Sequence, residues 1–276
     1  MTDAPEQAVL YDARDGIATL TLNRPQRANA WTIDMTRAYR KALVAAENDP
    51  EVVAVVITGA GKYFCVGADN SSLSKISADG GFGSDYQEPL PEPGDPRHPA
   101  WGTTHGMLLS LRKPVIAAVN GAAAGIGFIV MCCSDFRIVA EDAKLTTSVA
   151  KLGLPAEFGL SWILPRLVGM VQATDILLRS PVITGREALQ RGLANEALPA
   201  DQVLPRARAL AAELIENCSP ASLRTIKRQL WLDSMRDFPT AEQDARALME
   251  HMVGAEDFRE AMTARNEGRT PKFPRA

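Results

Sequence analysis

What this sequence has little of narrows its possible functions before any motif is read. It has no excess of positive charge, since 30 lysines and arginines stand against 33 aspartates and glutamates for a net charge of -3. Such a balance does not hold a polyanion non-specifically, so a dedicated DNA or RNA binder is not expected. No apolar run approaches the roughly 20 residues needed to span a bilayer, so no membrane-spanning helix is expected. Only four cysteines are present, Cys65, Cys132, Cys133 and Cys218, and they show neither metal-ligand pairing nor a disulfide framework. They read as reduced core residues, and no metal site is expected. The amino-terminal stretch MTDAPEQAVLYDARDG lacks a basic leader and an apolar segment, the pattern expected of a cytoplasmic protein.

What is there is an ordinary globular composition, 46% hydrophobic over 276 residues. GIATLTLNRP, residues 16–25, alternates as a strand and ends at a proline turn. Thr32 is the expected N-cap of a helix that Asp49 and Pro50 stop. VVAVVITGAG, residues 52–61, is β-branched, continuously apolar and short, which predicts a strand buried on both faces. Residues 77–105 carry many glycines and prolines without periodicity and read as a long surface loop. Residues 113–140 read as strand, glycine-containing turn, short buried helix and strand. Beyond residue 140 the pattern is mostly helical, with a capping box from Thr184 to Glu187 and a helix start at Ser219-Pro220. The expected fold class is therefore α/β, with a core over residues 1–200 and a helical region over 201–276.

Four stretches in order resemble the crotonase (enoyl-CoA hydratase/isomerase) superfamily. They are NRPQRANA at 23–30, VVITGAGKYFCVGADN at 55–70, KPVIAAVNGAAAGIG at 113–127 and EDFREAMTARNEGRTPKF at 256–273. The resemblance implies a spiral of ββα units with a helical C-terminal trimerisation region. It also implies homotrimers or hexamers formed as dimers of trimers, an acyl-CoA substrate, and no cofactor beyond the coenzyme A that the substrate carries.

Chemistry next to a thioester carbonyl drives negative charge onto the carbonyl oxygen, and two N–H donors stabilise that enolate. The resemblance carries the donors onto the backbone amides of Ala68 and Ile126. The second lies at the start of a predicted helix, where unpaired amides and the macrodipole favour negative charge. Ile126 departs from the glycine common at that position. Gly125 and Gly127 admit a second reading, as residues that let a helix pack tightly on a strand. Hydratases of the family use two glutamates, and the matching positions here are Ile129 and Val149, neither of which moves a proton. Glu157, in KLGLPAEFGLSWILPRLVG, matches the single catalytic glutamate of some double-bond isomerases of the family. Enclosure by Phe158, Leu160 and Trp162 predicts a raised pKa suited to a shuttling base. The alternative is a helix-start carboxylate held by nearby amides.

Asp69, beside the first donor, is expected chiefly to brace its loop. The resemblance places CoA contacts around Arg27, Ala28 and the loop Val66, Gly67, Asp69 and Asn70, with Gly125 and Gly127 lining the second turn. It suggests that Lys227 or Lys272 reaches a neighbouring subunit's CoA. Arg24 and Lys62 are further cations, each more often a solvated surface charge. His98 and His105 read as exposed loop histidines, with a place in the acyl pocket as the alternative. Single-glutamate isomerisation is the favoured activity. Hydration by a non-standard site, acyl-CoA hydrolysis or retro-Claisen cleavage, and non-catalytic acyl-CoA binding are the alternatives.

Overall fold

A computed structural model of the protein describes residues 7–80, 92–103 and 105–275. Two parallel sheets are threaded by one repeating path. The larger takes β1 (Val9–Arg14), β2 (Ile17–Leu22), β3 (Ala54–Gly59), β5 (Val115–Val119), β7 (Phe136–Ala140) and β9 (Glu196–Leu198) in that spatial order. Only the β1–β2 hairpin is antiparallel. The smaller takes β4 (Tyr63–Cys65), β6 (Ala122–Ala124) and β8 (Leu145–Thr146), with β6 in the middle. Three times the chain lays one strand in the large sheet, the next in the small sheet, and then a helix. Those helices are α2 (Asn70–Asp79), α4 (Ile126–Cys133) and α5 (Leu160–Arg179). This is the expected ββα spiral.

The β-branched run at 54–59 is buried at every residue because α1 (Ile33–Asn48) and α7 (Ala200–Asn217) flank the large sheet. Thr32 caps α1 by accepting from the Met35 amide, and Asp49 ends it, as the sequence predicts. The capping box opens α6 (Gly185–Gln190), and Ser219 caps α8 (Pro220–Asp233). Then come α9 (Phe238–Val253) and α10 (Glu256–Glu267). None of the described helices is long and apolar enough to cross a membrane.

The loop expected over 77–105 needs correction at its start, where residues 77–79 finish α2. That helix buries no side chain, so no apolar stripe announced it; it is nucleated by the Asp69 cap. Residues 92–103 form turns without a regular element, as expected, and 81–91 fall outside the described residues. The short α3 (Met107–Ser110) follows, buried throughout.

Candidate active site

Neighbouring parallel strands deliver their C-terminal ends to the same edge of a sheet. In the small sheet those ends are Val66–Asp69 after β4, Gly125–Ile126 after β6 and the segment leading to Glu157 after β8. The first two touch: a Cβ built on Gly125 lies 3.5 Å from the Gly67 Cα. Both glycines have positive φ, +97° at Gly67 and +48° at Gly125, which an L side chain would strain.

The amides of Ala68 and Ile126 follow these two glycines directly. Ala68 lies in an isolated bridge with Trp31 in which Trp31 donates to Gly67 and Asp69 donates to Trp31, leaving the Ala68 N–H out of the ladder. Ile126 is the first residue of α4 and has no intrahelical acceptor. Among the described residues neither amide has a backbone acceptor. Gly127 serves packing, since a Cβ there would fall 2.1 Å from the Cys65 carbonyl oxygen.

Asp69 is buried and accepts from the Ser71 amide and hydroxyl at 3.0 and 2.8 Å, capping α2. Arg24 reaches it at 3.1 Å and the more exposed Arg27 at 3.6 Å. The Ser71 contacts, then the Arg24 guanidinium, hold its carboxyl down to about 2. That is the bracing role expected. Sequence reasoning missed Asn29, whose side chain accepts from the Arg24 amide and donates to the carbonyls of Ala60 and Tyr63. It pins the turn holding Arg27 and Ala28 to the strand that precedes Ala68. Its one sequence signal is an asparagine after a proline turn, at a left-handed φ of +55°.

Ile129 and Val149 are buried and apolar. Glu157 is half-buried, and burial raises its pKa above the ordinary carboxylate range. Next to it, Phe158 at φ +48° turns the chain into the wall of a cavity of about 470 Å³. Cys133, at the far end of α4 from Ile126, lies in the same wall.

His98 and His105 also line this cavity and are buried, which corrects the expectation of exposed loop histidines. Glycine-rich composition suggested solvent, but the segment folds inward. Arg40 of α1 holds it by pairing with Glu92 and donating to the Thr103 carbonyl. The His105 ring stands edge-on to both Trp31, at 5.2 Å, and Phe158, at 4.9 Å. It thereby ties the Ala68 turn to the Glu157 turn. Burial, with Arg40 adding to it, pushes His105 down to about 3, and burial also lowers His98.

Of the two C-terminal cations, Lys272 is exposed, with its backbone amide donating to Glu260. Lys227 requires correction. Its ammonium is buried, paired with Asp135 at 2.7 Å and donating to the Lys113 carbonyl, so it is a structural cation rather than one reaching outward. The cysteines are free, with Cys65, Cys132 and Cys133 buried as expected and Cys218 half-buried. No metal-binding cluster occurs among the described residues.

Two unengaged amides on touching turns and a partly desolvated carboxyl, with a cavity next to that carboxyl's turn, are parts suited to proton transfer beside a polarised carbonyl. The family model for enoyl-CoA hydratase/isomerase matches residues 12–275. The chain belongs to the enoyl-CoA hydratase/isomerase family, within the crotonase superfamily. It is 33% identical over 266 residues to a probable enoyl-CoA hydratase of Mycobacterium tuberculosis, covering 94% of this chain and 90% of that one. It is 31% identical to a crotonyl-CoA hydratase of Syntrophomonas wolfei, covering 96% and 97%. A crystal structure of a probable enoyl-CoA hydratase/isomerase from Mycobacterium abscessus superposes with a TM-score of 0.82 at 31% identity, covering 96% of this chain and 98% of that one.

Proposed function

We propose that the protein acts on an acyl-CoA thioester, polarising its carbonyl with the amides of Ala68 and Ile126 and moving a proton with Glu157. The observation that carries this reading is the contact between Gly67 and Gly125, which sets two unengaged amides on adjoining turns. The hydratase and crotonyl-CoA hydratase names of its relatives support the substrate class.

Double-bond isomerisation is the favoured reaction. The Glu157 carboxylate takes a proton from C2 of a 3-enoyl thioester, and the C–H electron pair passes into the enolate. The charge on the thioester oxygen is held by the two amides, a donor of this kind contributing about 2.7 to 4 kcal/mol. The Glu157 carboxylic acid then returns the proton at C4 while the double bond moves to C2–C3. One group suffices, and its raised pKa brings it toward the range of an efficient base. Ile129 and Val149, where hydratases of the family hold glutamates, have no group to add water with. Hydration by a non-standard site is the second reading, favoured by the relatives' names alone.

Arg27, Ala28, Val66, Gly67 and Asn70 would meet the CoA moiety, with Lys272 available to a neighbouring subunit. Homotrimers or hexamers fit the large exposed apolar residues Met170, Val171, Leu178, Leu230, Phe238 and Met249 on α5, α8 and α9. No metal or redox group is needed, because the steps only move a proton.

Incubating 3-enoyl and 2-enoyl thioesters with the enzyme and identifying products separates isomerase from hydratase. Glu157→Gln is expected to keep thioester affinity while losing roughly 10²- to 10⁴-fold in isomerase turnover. Full turnover in that variant removes Glu157 from the mechanism.

A further inference from the structure

We propose that the cavity beside Phe158 selects an uncharged aromatic acyl group, with Trp162 and Trp231 as the selecting residues. This rests on the acyl-CoA reading above and names the class of acyl group.

Aromatic residues make up only 6% of the chain, yet two of its four tryptophans and two of its three histidines line this one space, together with Phe158. The rings are held by contacts of their own. The Trp231 indole N–H donates to Asp135 at 3.3 Å. The Trp162 ring carries the Arg166 guanidinium 4.0 Å from its centroid, and Arg166 also donates to the Trp162 carbonyl. The two indoles lie 6.3 Å apart, tilted by 38°. His105 is fixed edge-on between Trp31 and Phe158. A ligand ring therefore meets partners already ordered, which lowers the entropy lost on binding.

The cavity also lacks charge. Among the described residues no lysine, arginine, aspartate or glutamate lines it, and burial keeps its two histidines neutral near pH 7. An acyl group ending in a carboxylate would lose its hydration there without gaining a counter-charge. A volume of about 470 Å³ is in the range that encloses a ring system. Each aromatic pair made with the walls adds roughly two- to tenfold over the same area of saturated carbon.

Phenylpropanoyl-CoA and cyclohexylpropanoyl-CoA have the same carbon skeleton and, being saturated in the chain, do not turn over as enoyl thioesters. Burial of apolar area alone favours the more hydrophobic cyclohexyl compound, so the sign of the difference is diagnostic. Titration calorimetry on the wild-type protein is expected to give about tenfold tighter binding of the phenyl compound. Trp162→Leu and Trp231→Leu are expected to shrink that preference to about twofold or less. Equal or tighter binding of the cyclohexyl compound by the wild type overturns the proposal, as does a preference that survives both substitutions. The wild-type comparison decides the matter even if a variant does not fold. Binding of both thioesters without discrimination leaves the acyl-CoA reading standing and sinks only the aromatic one. Failure of both to bind removes both readings.

Discussion

His105 gives the cavity a measurable acid sensitivity. It is 2% exposed, its Nδ1 has no hydrogen-bond partner among the described residues, and burial pushes it down to about 3. In the unfolded chain the same imidazole titrates near 6.5. Below that value the unfolded state takes up a proton that the folded state refuses, so stability falls as pH drops from about 6.5 toward about 3. The full slope is about 1.4 kcal/mol per pH unit; between pH 7 and pH 5 the loss from this group comes to about 2 kcal/mol. His98 is shifted in the same direction and adds to the effect. Replacing His105 by leucine removes its titration while leaving that of His98. Urea unfolding at several pH values should show the variant flatter than the wild type by about 2 kcal/mol across pH 7 to 5. Parallel pH dependences in the two proteins would refute the claim that His105 stays buried and neutral.

Three further substitutions test the turns around it. Ile126→Pro deletes one amide at the first position of α4, where proline is tolerated, so turnover should fall roughly 10²- to 10³-fold with helix content intact by circular dichroism. Unchanged turnover would remove that donor from the site. Gly127→Ala drives a Cβ to 2.1 Å from the Cys65 carbonyl oxygen and 2.9 Å from its carbonyl carbon, main-chain atoms that cannot swing aside. Thermal unfolding should report a loss of about 3 kcal/mol. Asp69→Ala removes the α2 cap and the acceptor of Arg24, a loss of about 2 kcal/mol near neutral pH. Because Asp69 is held at about 2, that loss is full above the ordinary carboxylate range and fades as pH falls toward 2.

The parts of this molecule legible in its sequence are those where local chemistry and tertiary context agree. Thr32, the capping box at Thr184 and Ser219-Pro220 each mark a helix start whose hydrogen bonds are made within four residues. The run at 54–59 advertises its burial through its own side chains. The buried histidines were not legible, because what carries them inward is an ion pair between Arg40 and Glu92, 52 residues apart. Lys227 misled for the same reason: its partner Asp135 lies in the bend between α4 and β7, far away in sequence, and a lysine in an amphipathic helix looks solvated until that partner is placed. The second sheet was partly hidden too, since β8 is two residues long and exists through its pairing with β6.

The division between backbone and side chain bears on how such a site can change its reaction. On the proposed reading, the groups that polarise the carbonyl are main-chain amides, fixed by Gly67 and Gly125 facing each other at the ends of paired strands. Neither depends on the side chain that follows, so isoleucine at 126 leaves a donor where glycine would also leave one. The proton-moving group is a side chain, and it can be lost from the helix after β6 and supplied after β8 without disturbing those donors. Burial of Ile129 and Val149 then acts in favour of the change. Two carboxylates at those buried positions would need solvent or a counter-charge, whereas the half-buried turn at Glu157 lets one carboxyl keep part of its hydration with its pKa raised. The reaction class thus follows from which turn carries the acid, while the chemistry of charge stabilisation stays with the fold.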